Sequence, residues 1–276
     1  MNTVAIVGTG LIGASFGLAL RKAGFRGEIA GVSSAPALAD ALAAGAIDRG
    51  AALPDAVANA DVVFLSQTIG RILDTLRHLD QLVKAGALVT DAGSTKQEIV
   101  DRALQSLTRC RFLGGHPMAG KERRGANAAS ADLFEGCTWV LTPMESDDTA
   151  EFVDWIRRIG AHPLVMSPEE HDRVVSFTSH LAQMASTALA STVADAVQPG
   201  ALRVAGSGLA DMTRLAMSSY NLWRDIVATN TDTMEKALSL YIQKLEHMRE
   251  NLRTRQLQEE FERAARLAAQ VRRNKL

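Results

Sequence analysis

The run Gly8-Thr9-Gly10-Leu11-Ile12-Gly13 constrains this chain more than any other stretch, because of what flanks it. Before it, Thr3-Val4-Ala5-Ile6-Val7 is apolar and β-branched, which suits a strand buried on both faces of a parallel sheet. After it, Ala14 to Ala23 has helical composition and stops at Gly24. A G-x-G-x-x-G run between a strand and a helix is the signature of a dinucleotide-binding βαβ unit. In that unit Gly8 permits the tight turn, Gly10 leaves room for a pyrophosphate, and Gly13 lets helix and strand pack closely. Leu11 and Ile12 open the helix, whose unpaired N–H groups and partial positive charge face the phosphates.

The alternation continues as far as Met166. Glu28 to Val32 is a second strand, Pro36 to Ala44 a helix, Asp61 to Leu65 a strand, Ile69 to Val83 a helix, and Ala87 to Thr90 a strand. Asp91-Ala92-Gly93-Ser94-Thr95-Lys96 follows, with Ser94 placed to cap the next helix. Phe112-Leu113, Trp139 to Leu141 and Pro163 to Met166 supply later strands, and Asp147 to Ile159 an amphipathic helix. This pattern predicts an α/β Rossmann-type, doubly wound parallel sheet over residues 1–167. At Ser167-Pro168-Glu169-Glu170 a helix-start signal opens a stretch without strands. Helices are expected over 168–197, 199–216, 219–228 and 230–273, making residues 168–276 an all-α domain. Leu238, Tyr241, Ile242, Leu245, Met248 and Leu252 recur at helical spacing, an apolar stripe that points to a homodimer through this domain.

With 276 residues, 47% of them hydrophobic, the chain can bury a core in two domains. A net charge of −1 gives no sign of a nucleic-acid or membrane partner. The basic residues between Arg249 and Lys275 alternate with Glu250, Glu259, Glu260 and Glu262, as on a solvated helix face. Cys110 and Cys137 show neither metal-ligand spacing nor a disulfide framework, so no metal is expected. The first strand starts at residue 3 with no basic leader, and no apolar run reaches membrane-spanning length. A soluble cytoplasmic protein is the expectation, and its partner class is a small molecule.

Gly114-Gly115-His116-Pro117-Met118-Ala119-Gly120 reads as a tight loop after a strand. A histidine held there is a candidate general acid or base near neutral pH. At the end of the second strand, where a carboxylate would select NAD, stand Ser33 and Ser34. Neither a repelling acid nor a gripping arginine is present, so NAD and NADP stay open, with a lean to NADP.

Four blocks now carry a resemblance: Gly8 to Ser15, Asp91 to Lys96, Gly114 to Gly120, and Gly206-Ser207-Gly208-Leu209-Ala210-Asp211-Met212-Thr213-Arg214. Ser179-His180-Leu181 and Trp223-Arg224-Asp225 support it. In order and content they resemble the prephenate and arogenate dehydrogenases of tyrosine biosynthesis. The resemblance implies oxidative decarboxylation: hydride leaves the hydroxyl-bearing ring carbon for a nicotinamide, and the ring carboxylate departs as carbon dioxide. It makes His116 the group that accepts the hydroxyl proton and Ser94 its catalytic neighbour. Arg214 would hold the ring carboxylate through paired hydrogen bonds. His180, Gln183 and Glu122 fall at substrate-pocket positions, and Ser66 and Gln67 at the nicotinamide ribose. The chain departs from the family pattern at Ser66-Gln67-Thr68, Ala210 and Gln183, which bear on cofactor contacts and on prephenate against arogenate. His162 and His171 have no partner at ligand spacing and are assigned no role, and Trp223 is read as packing.

Two rival readings differ in class. A β-hydroxyacid dehydrogenase would use a lysine early in the helical domain, and Pro168 to Val197 contains none. A non-catalytic nucleotide sensor would be expected to have lost His116 or Arg214, and both are present. An appended mutase or regulatory domain is not expected between residues 1 and 276.

Overall fold

In the computed structural model, which describes residues 1–121, 123–143 and 149–273, the glycine run joins strand β1 (Thr3–Val7) to helix α1 (Leu11–Lys22). β2 (Glu28–Val32), α2 (Ala35–Ala43), a two-residue β3 (Arg49–Gly50) and the short α3 (Leu53–Val57) complete the first half of the sheet domain. The second half contains β4 (Val62–Leu65), α4 (Ile69–Leu79), β5 (Leu88–Asp91) and α5 (Gln97–Ser106). β6 (Arg111–Pro117), β7 (Thr138–Pro143), α6 (Ala150–Arg158) and β8 (His162–Val165) follow. The eight strands form one sheet in the order β3-β2-β1-β4-β5-β6-β7-β8.

The doubly wound Rossmann-type sheet is present, with one correction. Its pairings are parallel except β6 with β7, which run antiparallel. Among the described residues, the helical structure between β6 and β7 is a single 3-10 turn, Ala126–Ala128. A parallel neighbour needs a crossover that brings the chain back to the starting edge, and this connection supplies none.

Each face of the sheet buries its own apolar layer. On one, Phe16 of α1 stacks on Phe64 with ring centroids 4.2 Å apart, and Trp139, Phe134 and Phe152 close around them. On the other, Ile69, Ile72, Leu73, Leu76 and Leu79 of α4 recur at helical spacing over Val63, Leu65 and Val89. Ile226 and Met234 of the helical domain join this second layer, so the two domains share a core there.

α7 (Pro168–Val175) starts at Ser167, whose hydroxyl accepts from the Glu170 N–H. It runs through one wider π turn, Ser176–His180, into α8 (Leu181–Ala196). The stretch expected as one helix over 199–216 is instead a 3-10 turn (Pro199–Val204), α9 (Ser207–Thr213) and a second 3-10 turn (Arg214–Met217). α10 (Tyr220–Thr229) is followed by α11 (Thr231–Glu250) and α12 (Gln258–Arg273). The single helix expected over 230–273 is thus two, because the chain turns at 251–257 with Arg255 at φ 58°. Among the described residues no helix is long and apolar enough to cross a membrane.

Two glycines of the first βα unit should behave oppositely when given a methyl group. A Cβ on Gly17 would lie 2.0 Å from the Ala46 carbonyl oxygen, whereas one on Gly10 would meet nothing within 4 Å. Gly17→Ala should therefore cost roughly 1–3 kcal/mol of stability, read as a lower urea midpoint. Gly10→Ala should leave that midpoint in place and weaken dinucleotide binding. Equal midpoints for the two variants would refute this packing argument.

Candidate active site

The Gly114–Pro117 segment is strand, not loop, and this corrects the sequence expectation. β5 pairs with β6 only as far as Leu113. Beyond that point β7 holds β6 from the other side, with Gly115 opposite Leu141 and His116 opposite Val140. The glycines are needed for close approach: a Cβ on Gly115 would stand 2.6 Å from the Asp91 carbonyl oxygen. Asp91, at the end of β5, accepts from the Gly115 N–H at 3.0 Å and from the Gly93 N–H at 2.7 Å. Lys96 pairs with the same carboxylate, and both side chains are fully buried. That ion pair explains the two ends of the Asp91 to Lys96 block. Burial lowers the Lys96 pKa against the pull of Asp91.

His116 is not alone. Its Nδ1 lies 2.8 Å from Nε2 of His171, whose Nδ1 lies 2.7 Å from Oδ1 of Asp172. This overturns the expectation that His171 lacks a partner. The tautomers follow from the far end. A carboxylate only accepts, so His171 carries a proton on Nδ1 and, as the neutral ring, presents Nε2 as an acceptor. His116 must then donate from Nδ1, which leaves Nε2 as a lone pair with no bond to any described residue. Burial, together with His171, Lys96 and His180, holds the His116 pKa well below the ordinary histidine value. The ring is thus a neutral acceptor at neutral pH.

Asp172 does more than orient His171. Its two oxygens accept from the backbone N–H groups of Lys96 (2.7 Å) and Gln97 (2.9 Å), capping α5 from the other domain. Asp225 does the same for α4, accepting from the Gly70 N–H at 3.0 Å. Ser94 was expected to cap α5; Asp172 has taken that role, and Ser94 instead lines a cavity beside His116.

The cavity measures about 480 Å³ and lies at the carboxyl ends of β1, β4, β5 and β6. That is the point where the strand order reverses, the usual ligand crevice of such sheets. Gly10, Leu11 and Ile12 form one end of it, Ser66 and Gln67 the middle, and Ser94 and His116 the other end. Met217, Ser218 and Asn221 close it from the helical domain. Unlike α4 and α5, α1 has no side-chain cap at Gly10, so its N-terminal donors and the open space over Gly10 fit a pyrophosphate.

Several other candidates sit outside this wall. Ser33 and Ser34 stand at the end of β2 and the start of α2, where no side-chain cap bond engages Ser34. Arg214 starts the 3-10 turn whose last residue, Met217, lines the cavity. His180 is buried against Trp223, ring centroids 5.7 Å apart, with Asn230 at 3.4 Å. Gln183 is buried as well, its amide nitrogen engaged by protein oxygens. Glu122 lies outside the described residues. His171, Asp172 and Asp225 went unrecognised in the sequence. For His171 and Asp172 the only signal was position, polar groups on helices that had to pack against the sheet domain; Asp225 stood in the Trp223-Arg224-Asp225 block with no role attached.

A two-domain oxidoreductase using a nicotinamide cofactor is the class that this fold and cavity define. The nucleotide-binding domain of prephenate dehydrogenase matches residues 16–166, and its dimerization domain matches residues 167–267. The chain belongs to the prephenate dehydrogenase family, enzymes of tyrosine biosynthesis that carry out oxidative decarboxylation. It is 36% identical to the prephenate dehydrogenase of Bacillus subtilis over 261 residues, 90% of this chain and 69% of that protein. The A. aeolicus prephenate dehydrogenase, solved with hydroxyphenyl propionate and NAD+, superposes with a TM-score of 0.88 at 31% identity, over 99% of this chain and 98% of that one. Synechocystis arogenate dehydrogenase gives 0.79 at 29% identity, over 99% and 100%.

Buried neutral histidines make stability fall in acid. Burial holds the His180 pKa down at about 4 against an ordinary 6.5. Above pH 6.5 neither state binds the proton; below it the unfolded chain does and the native one resists. Stability should therefore drop by about 1.4 kcal/mol per pH unit for each such histidine as pH falls from 6.5 towards 5. Urea unfolding of wild type and His180→Gln across this window checks it, the variant giving the shallower slope. Parallel slopes would refute the assignment.

Proposed function

We propose that the chain converts prephenate, arogenate or both to the corresponding 4-hydroxyphenyl product, with residues 1–167 holding the dinucleotide and 168–276 completing the substrate site. The observation that carries this reading is the His116–His171–Asp172 chain opening, beside Ser94, onto the cavity that starts at Gly10. A bound nicotinamide dinucleotide supplies the hydride acceptor. Gly8, Gly10, Leu11, Ile12 and Gly13 form its pyrophosphate cradle, and Ser66 and Gln67 the wall along its nicotinamide ribose. His116 Nε2 accepts the proton of the ring hydroxyl while Ser94 hydrogen-bonds the same oxygen and fixes its direction. Arg214 holds the ring carboxylate until it leaves. Positioning of this kind removes the entropic part of the barrier, and the fixed donors offset charge as it moves.

Ser33 and Ser34 can serve the ribose of either dinucleotide; with no carboxylate there to repel a 2′-phosphate, the reading leans to NADP. A biosynthetic enzyme of this class is expected in the cytoplasm. Initial rates with prephenate and arogenate against NAD and NADP test the reading, and no reduced dinucleotide in any combination would sink it. His116→Ala should collapse kcat and leave dinucleotide affinity nearly intact. An equal loss of that affinity would make the histidine structural.

The helical domain leaves apolar surface open in the single chain. Ile242 is 53% exposed, Leu245 47%, Leu252 64% and Phe261 66%. A second copy of the chain covering this stripe accounts for it. Sedimentation equilibrium should show a dimer that Leu245→Glu weakens; a monomeric wild type would refute the interface.

A further inference from the structure

The turn that carries Arg214 lies at the surface. None of the residues from Arg214 to Met217 is buried, and Arg214 itself is exposed. One face of α8 grips the turn's backbone. The Gln183 amide nitrogen donates to the Leu215 carbonyl oxygen at 2.9 Å. One helical turn on, the Ser186 hydroxyl accepts from the Ala216 N–H at 3.1 Å. Leu215 O also receives the Ser218 N–H at 3.0 Å, the bond that closes the turn. Gln183 is 4% exposed and Ser186 2%, and a second Gln183 N–H bond, to Thr187 Oγ1 at 3.1 Å, fixes the amide. Two buried side chains, three residues apart, thus grip the two ends of one peptide unit, Leu215–Ala216, next to Arg214 in the chain.

We infer that Gln183 is a positioning residue that sets substrate affinity through Arg214, without touching the substrate. The inference rests on the reading of Arg214 as the ring-carboxylate contact. It differs from a pocket role for Gln183, because its amide donors are spent inside the protein. Without the Gln183 donor the Leu215 carbonyl keeps only the Ser218 N–H within its own turn, and the turn loses this tie to α8, so it should shift or fray. The arginine then meets the ring carboxylate in fewer of its conformations. Chemistry at the ring hydroxyl, on His116, is left as it was.

The test uses Gln183→Met, which keeps the volume and removes the donor, with Ser186→Ala as a milder second lesion. Gln183→Met should raise KM for the turned-over substrate by about tenfold, with kcat little changed. Ser186→Ala should move KM in the same direction by less. Inhibition by hydroxyphenyl propionate, which has no ring carboxylate, should be unaffected by either. In Arg214→Ala/Gln183→Met the second change should add nothing to the KM of Arg214→Ala, the mark of a residue acting through another. Equal weakening of hydroxyphenyl propionate and substrate would mean that Gln183 contacts the ligand, and additive KM effects would mean an independent route. Either overturns the inference, as does an unchanged KM in both single variants. An unchanged KM in Arg214→Ala alone would instead refute the role of Arg214, and with it this inference.

Discussion

The carboxylate of Asp172 is the constraint on which most of this site depends. Buried between the domains, it would be costly without partners, and it has three: two backbone N–H groups at the start of α5 and one imidazole N–H. The α5 partners belong to the sheet domain and the imidazole to the helical domain. Docking the domains and fixing the tautomer of His171 are therefore one event. The helix N-terminus adds its partial positive charge, which suits an ionised aspartate. Asn230 anchors the Asp172 carbonyl from α11's end of the domain, its amide donating at 2.9 Å.

The same logic decides where a dinucleotide can go. Three helices begin near the carboxyl edge beside the cavity. Asp172 occupies the start of α5 and Asp225 the start of α4, both supplied by the helical domain. Among the described residues, α1 alone of the three has no carboxylate and no side-chain cap bonded at its start. The helical domain thus neutralises two anion-attracting sites and spares the third. Asp225, seen in the sequence only as part of Trp223-Arg224-Asp225, has a physical reason for standing there.

Much of the sheet was legible because buried parallel strands are continuous apolar runs and the glycine fingerprint fixes where the first one ends. Legibility failed where partners far away in sequence decide the outcome. Gly114-Gly115-His116-Pro117 looks like a turn by composition, and only the antiparallel β7 makes it strand. β3 is two residues long, too short for any periodicity to mark. Ser94 had the right spacing for a cap, but a bidentate carboxylate from 75 residues away reached the same donors. His171 looked partnerless because its partner, His116, lies 55 residues back on another domain. The break in the last helix has no glycine or proline to announce it; Arg255 adopts positive φ with neither.

The depressed basicity of His116 looks at first like a handicap for a base, since proton transfer is best driven when donor and acceptor are matched. The proposed reaction removes the objection. As hydride leaves the ring carbon, the hydroxyl oxygen takes on the character of a protonated carbonyl, a strong acid that even a weak imidazole can deprotonate. Loss of carbon dioxide then aromatises the ring and turns that oxygen into a phenolate, whose conjugate acid titrates near 10, as tyrosine does. No proton is lost overall from the hydroxyl. His116 has to take the proton early and give it back late, and a more basic imidazole would give it back less readily. A neutral, buried imidazole whose other nitrogen is tied through His171 to Asp172 suits that exchange at both stages.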